Sequence, residues 1–257
     1  ARVLNRALDV DMGLDARDAD ASEAPHTGTT IVACEYAGGV VLGADSRVST
    51  GIYVSNRASD KMCALNDRTI MCRSGSAADT EALAGYVRNI VSQHEMELDE
   101  IADVKTVATI ANQIGYQNKG ANQGRGLSAY TIVGGWDKRC GSQVYACTAG
   151  GNMIKERWTT DGSGSTYIWG FLDSGWREGM TREECEAFVA KAIALAMSVD
   201  GSSGGCIRLN AVDASGIHRT FIQGSDVPPV LGELSQRRGR PEIARHGHQG
   251  ASGGMML

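Results

Sequence analysis

Hydrophobic and polar positions along the chain change period several times. Apolar residues run through Thr30–Tyr36 and Val40–Ala44, with Ala37-Gly38-Gly39 between them, a pattern that predicts a β-hairpin. Thr69–Cys72 predicts a further buried strand, closed by Arg73-Ser74-Gly75-Ser76. From Ala77 to about Glu95 the pattern turns helical, and Ala78, Ala82, Tyr86 and Ile90 recur at a spacing of four. Val104–Ile114 predicts a second helix, and Tyr116–Gly126 a polar, glycine-rich loop. Ala129–Val133 and Gln143–Cys147 predict a strand pair around Gly134-Gly135 and Gly141. Thr181 followed by Glu184 forms a capping-box signature, opening an alanine-rich helix to about Val199. Strands over Cys206–Val212 and His218–Gln223 close the pattern. Strands, two helices, strands, one helix and strands again predict α+β layers, not a regular βαβ alternation.

Three blocks follow from this pattern. Residues 1–28 are polar and acidic, carrying Asp9, Asp11, Asp15, Asp18, Asp20 and Glu23, and are expected to lie outside the packed domain as a removable leader. Neither a signal peptide nor a transit peptide fits them. Residues 29–230 form the domain, and residues 231–257 form a mobile or interface-binding extension. The 33 glycines against 4 prolines fit many tight turns. A net charge of −5 argues against a broad nucleic-acid-binding face. No apolar run approaches the ~18 residues of a membrane span, so neither nucleic acid nor membrane is an expected partner. The seven cysteines include no C-x-x-C pair, so a zinc ribbon or redox motif finds no support, and no metal or cofactor is expected. Several lie in apolar stretches such as Thr69–Cys72, and a reduced, intracellular setting is expected.

Several motif matches fail on context. Gly201-Ser202-Ser203-Gly204-Gly205 matches G-x-S-x-G, but a helix precedes it and a strand follows, the reverse of a nucleophile elbow. Gly124-x-Gly126-x-x-Ala129 precedes a strand where a dinucleotide fingerprint would follow one. His246-x-His248 lies in a polar tail and reads as a solvated end. What remains is Thr27-Gly28-Thr29-Thr30, where the acidic leader ends and the strand-rich block begins. Cleavage between Gly28 and Thr29 leaves an N-terminal threonine whose α-amine, with a pKa near ~7.7–8.0, can act as a general base. Hydroxyl and amine then sit on one residue, which supplies the pairing of nucleophile and base by covalent proximity. Lys61 could lower the hydroxyl pKa, and Asp45 could hold that ammonium.

These segments together resemble a known family. Thr29–Val32, Gly38–Arg47, Asp60-Lys61, Arg73–Asp79 and Asp200–Gly205 are similar, in order, to the catalytic β subunits of the eukaryotic 20S proteasome, nearest the β1, caspase-like type. The resemblance covers roughly residues 29–228. It implies a four-layer αββα sandwich of the Ntn-hydrolase type, built into stacked seven-membered rings with other α and β subunits. It further implies a threonine endopeptidase acting on unfolded polypeptides, after acidic residues, in cytoplasm and nucleus. By the same likeness Thr29 is the nucleophile, supported by Lys61 and Asp45, and Gly75 supplies the oxyanion donor. Ser163 stands beside the nucleophile, and Asp200 and Ser203 orient that end of the site. The resemblance places Val48, Ser59, Cys63, Arg73 and Ala77 in the pocket for the cleaved residue, with Arg73 selecting acids. It also implies that Ser49, Gly75 and Ala77 pair their backbones with substrate. A non-catalytic ring subunit is the competing reading, with a serine hydrolase using Ser203 a third.

Overall fold

The computed structural model describes residues 28–118 and 127–230. The leader before Gly28, most of the predicted glycine-rich loop, the tail from residue 231 and its histidine pair lie outside the described residues.

Twelve strands and four α-helices are described, mixing α and β elements. The first sheet contains β1 (Ile31–Tyr36), β2 (Gly39–Ala44), β10 (Trp158–Asp161), β11 (Ile207–Asp213) and β12 (Gly216–Ile222), in the order β10-β1-β2-β11-β12. The second runs in chain order: β5 (Met62–Asn66), β6 (Thr69–Gly75), β7 (Ala129–Asp137), β8 (Gly141–Cys147) and β9 (Met153–Glu156). A separate ribbon joins β3 (Val48–Thr50) to β4 (Tyr53–Asn56). Every ladder is antiparallel.

Three buried clusters hold these elements. Ile31, Val40 and Leu42 of the first sheet share one cluster with Ile70, Ile132 and Val144 of the second. The outer face of the second sheet buries Met71 and Val133 against α1 (Ala77–Leu98) and α2 (Val104–Gln117). The outer face of the first buries Val32, Val41 and Leu209 against α4 (Arg182–Val199) and α3 (Trp169–Gly175). Because strand side chains alternate, a central strand such as β1 feeds two clusters at once, Ile31 in one and Val32 in another. Burying a large aliphatic side chain contributes about 1.5–3 kcal/mol, so these interfaces supply the main stabilising term.

Several expected boundaries shift. On α1 the buried stripe is Thr80, Leu83, Ala84, Val87, Ile90 and Val91. Ala78 is exposed and Ala82 and Tyr86 are half-buried, because a strict spacing of four drifts around a 3.6-residue helix. The segment Arg73-Ser74-Gly75 does not close its strand, since pairing with β7 continues to Gly75 opposite Ala129. Nor do Gly134 and Gly135 form a turn. They lie inside β7, where a Cβ on Gly134 would come within 3.1 Å of Leu42 of the opposing sheet. Tyr116 and Gln117 still belong to α2. The capping box forms at α4: Glu184 N–H donates to Thr181 Oγ1 (3.2 Å) and Thr181 N–H to Glu184 Oε2 (3.0 Å).

Candidate active site

Antiparallel pairing gathers the site at one end of the sheets. β1 begins where its neighbours β2 and β10 end, and β11 begins beside the end of β2. Thr29 and Thr30 therefore meet Asp45, Ser163 and Gly204 across strand ends. The start of β5 and the end of β6 bring Lys61, Arg73 and Gly75 to the same end from the second sheet.

Thr29 is buried. Its hydroxyl donates to the carbonyl oxygen of Gly28 at 2.7 Å, and Lys61 Nζ donates to that same oxygen at 2.9 Å. Position 28 admits glycine alone, since a Cβ there would lie 1.9 Å from Ser202 Cβ and 2.5 Å from its carbonyl oxygen. The Lys61 ammonium also donates to Asp45 Oδ1 at 2.7 Å. Burial pulls the Lys61 pKa below the usual lysine range, and the Asp45 carboxylate opposes that shift. The Asp45 side chain is itself fully buried and accepts three backbone N–H groups: Thr30 on Oδ1 (2.8 Å), Arg47 (3.1 Å) and Gly204 (3.0 Å) on Oδ2.

A second network lies on the other side of Thr29. The Thr29 N–H donates to Ser163 Oγ at 3.1 Å, and the Ser163 hydroxyl donates to Asp200 Oδ2 at 2.7 Å. Ser203 donates to the same oxygen at 2.6 Å, which leaves Thr30 Oγ1 as donor in its 2.8 Å contact with Ser203. Burial raises the Asp200 pKa, but the hydrogen bonds from Ser203, Ser163 and Ser202 and the Lys61 charge outweigh it, so Asp200 titrates below the usual carboxylate range. Ser203 is fully buried, with its hydroxyl proton directed to the Asp200 carboxylate.

A small cavity opens next to Thr29. Val48, Ser59, Arg73, Gly75 and Ala77 line it with Asp60, Lys61, Thr80 and Glu81. Arg73 Nη2 donates to the Asp60 carbonyl oxygen at 2.8 Å, while its buried Nε has no acceptor. No carboxylate of the described residues forms an ion pair with Arg73. Gly75 has a φ of +106°, and a Cβ on it would meet Ser128 O at 2.2 Å; the left-handed backbone and this contact require glycine.

Two expected pocket and substrate residues are not among those lining this cavity. Cys63 lies under α1, packed against that helical cluster with Arg88 Nη2 2.6 Å from its sulfur, because strand alternation carries its side chain beneath the helix. Ser49 is buried on β3, one residue beyond the cavity-lining Val48. Glu81 was missed by the motif reading. Its signal was helical spacing, since it lies four residues after Ala77 and shares that face of α1.

The geometry defines a threonine set against the carbonyl before it and held between a lysine–aspartate pair and a serine–aspartate network. The family described as proteasome subunit matches residues 25–212. A proteasome subunit beta type-6 from Dictyostelium discoideum is 47% identical over 201 residues, covering 78% of this chain and 92% of that protein. One of the same name from Arabidopsis thaliana is 46% identical, covering 79% and 85%. The human proteasome subunit beta type-9 is 44% identical, covering 81% and 92%. The chain belongs to the proteasome β-subunit family, whose members assemble with other proteasome subunits in the 20S core.

Proposed function

We propose that this chain is an N-terminal threonine endopeptidase subunit of the β1, caspase-like type, folded as an αββα Ntn-hydrolase sandwich and made as a self-processing precursor. The observation that carries this reading is the Gly28 carbonyl oxygen, which accepts hydrogen bonds from both Thr29 Oγ1 and Lys61 Nζ. In the precursor, Thr29 Oγ attacks the Gly28 carbonyl carbon, and Lys61 stabilises the negative charge that develops on its oxygen. The hydroxyl proton passes to the departing Thr29 nitrogen as the C–N bond breaks, leaving an ester between Gly28 and Thr29. Water hydrolyses that ester, releasing residues 1–28 and a free α-amine.

In the mature chain that amine accepts the Thr29 hydroxyl proton as Oγ attacks a substrate carbonyl, and returns it to the leaving amine. Water then resolves the acyl-enzyme. Ser163, held by Asp200, orients the Thr29 nitrogen, while Asp45 fixes the Lys61 ammonium that favours the neutral amine and the alkoxide. Gly75 is assigned the oxyanion donor at the cavity. The preference for acids rests on Arg73, which lines the cavity without a carboxylate partner among the described residues. A substrate carboxylate supplies one, through a charged hydrogen bond of about 1.5–3 kcal/mol that apolar side chains cannot form.

The test is the intact mass and N-terminal residue of the subunit from assembled particles, with peptide cleavage measured alongside. A chain beginning at Thr29 and cleaving after Glu is expected. A chain retaining Gly28 in an active particle overturns the reading.

A further inference from the structure

The serine–aspartate network closes back on the chain it starts from. It begins at the Thr29 nitrogen, which donates to Ser163, and runs through Asp200 and Ser203 to the hydroxyl of Thr30, the next residue. Thr30 is fully buried and does not line the cavity, so its side chain acts on a substrate only through its neighbours. Its Oγ1 lies 2.8 Å from Ser203 Oγ, and its N–H donates to Asp45 Oδ1, the oxygen that also accepts from Lys61. One residue therefore joins the two networks that flank Thr29. The segment carrying Ser163 packs on the same hydroxyl, since a Cβ on Gly164 would lie 1.9 Å from Thr30 Oγ1 and 3.2 Å from Ser203 Oγ. Threonine is stiff at χ1, which makes that hydroxyl a fixed point.

The fixed point decides where the Ser163 proton goes. Ser163 Oγ has two acceptors in reach, Asp200 Oδ2 at 2.7 Å and the Thr29 carbonyl oxygen at 3.4 Å. With its proton on Asp200, its lone pairs face the Thr29 nitrogen, whose N–H they accept at 3.1 Å. In the mature chain an amine N–H held there fixes where the nitrogen lone pair points, and so whether it can take the Thr29 hydroxyl proton. Asp200 is itself held by Ser203 Oγ at 2.6 Å and the Ser202 N–H at 3.0 Å. Ser203 has one proton to give, and because Thr30 donates to its oxygen, that proton is left for Asp200.

We infer that Thr30 is a positioning residue: its hydroxyl, acting through Ser203 and Asp200, sets Ser163 to orient the Thr29 nitrogen. The inference rests on the peptidase reading above and adds to it a side chain that touches neither the substrate nor the reacting atoms. Removing that hydroxyl slows the chemical step and leaves substrate binding as it was.

The experiment uses assembled core particles carrying this subunit with Thr30, Thr30→Val, Thr30→Ala or Thr30→Ser. Cleavage of a fluorogenic peptide ending in Glu is measured as kcat and KM, counted per chain that begins at Thr29. Thr30→Val and Thr30→Ala are expected to lower kcat about tenfold, the scale of one buried hydrogen bond, with KM within about twofold of the parent. Thr30→Ser keeps the hydroxyl and should restore most of the rate. Chains of the first two variants that assemble but keep residues 1–28, while Thr30→Ser sheds them, also support the inference, because the same nitrogen is the leaving group of processing. An unchanged kcat in both Thr30→Val and Thr30→Ala, with Thr29-dependent cleavage intact, overturns the inference alone. So does a KM that rises as kcat falls, which marks a distorted pocket, or a Thr30→Ser no faster than Thr30→Ala. Failure of both Thr30→Val and Thr30→Ala to enter particles overturns it too, making the hydroxyl a requirement of folding. Absence of Thr29-dependent cleavage after Glu in the parent particle overturns the peptidase reading and the inference together.

Discussion

Thr29 Oγ1 and Gly28 O are hydrogen-bonded at 2.7 Å across the peptide bond that joins their residues. The hydroxyl thus lies against the carbonyl it is proposed to attack, before any substrate arrives. Replacing Thr29 by Ala removes the attacking atom. Thr29→Ala should leave residues 1–28 attached, and a mass spectrum of the variant beside inactive neighbours checks it. Clean cleavage after Gly28 there would falsify self-processing.

Gly28→Ala places a methyl group against Ser202, side chain and backbone both. The segment must move, and displacement of about 1 Å from a reacting geometry costs on the order of a hundredfold in rate. Processing of Gly28→Ala should slow by that order or more, measured as the half-life of the uncleaved chain after synthesis. A half-life matching the parent would show that the close approach plays no part.

For Lys61→Ala the expectation is loss of turnover with assembly retained. Asp45 is too deeply buried to regain water, but it keeps the N–H groups of Thr30, Arg47 and Gly204. Three donors remain to satisfy the carboxylate, which softens the usual cost of breaking a buried pair. Peptidase rate and particle yield are measured on the same preparation. Near-normal rates would remove Lys61 from the mechanism.

Arg73 and Glu81 face one cavity with opposite charges. Arg73→Met should lower the ratio of cleavage after Glu to cleavage after Leu by roughly tenfold to a hundredfold, the range for a charged hydrogen bond of about 1.5–3 kcal/mol. Removing the like charge in Glu81→Gln should raise the same ratio severalfold, in proportion to its Coulomb repulsion. Opposite signs for the two substitutions are required. A common sign places the specificity elsewhere.

Asp200 sets the acid limit of this end of the site. Its folded pKa is depressed, so its stabilising contribution is present above the unfolded value of about 4 and is lost as pH falls through the lower folded one. Thermal unfolding between pH 5 and pH 2 should therefore show a shallower acid decline in Asp200→Asn than in the parent. Parallel declines would assign the acid sensitivity to other carboxylates.

The long apolar runs were legible because each buries both faces or one clear stripe. What escaped was short or exposed. β4 reads Tyr53-Val54-Ser55-Asn56 with every residue in solvent, and so carries no alternation to detect. β9 and β10 are four-residue strands, each at a sheet edge. Gly134-Gly135 suggested a turn because a sequence does not display the opposing sheet that requires small residues there. In the site, Thr29, Asp45, Lys61, Ser163, Asp200 and Ser203 were recognisable as residue types in ordered motifs. Their convergence depends on which strand ends adjoin, which is a property of topology. Cys63, expected in the pocket from its place in the motif, packs against the α1 cluster, a placement set by strand alternation that no motif displays.

The four partners of Asp45 come from four separate stretches of chain: the start of β1, the turn after β2, the approach to β5 and the loop before β11. An amide in its place would turn a donor towards donors. Replacing Asp45 thus strikes the joint at which both sheets meet, whereas Thr29 or Lys61 can change with the scaffold standing. Drift towards an inactive core subunit has two permissive routes and one obstructed route. Copies that have lost the threonine should still carry this aspartate, and a set of such copies in which the aspartate disappears as often as the lysine would contradict that order.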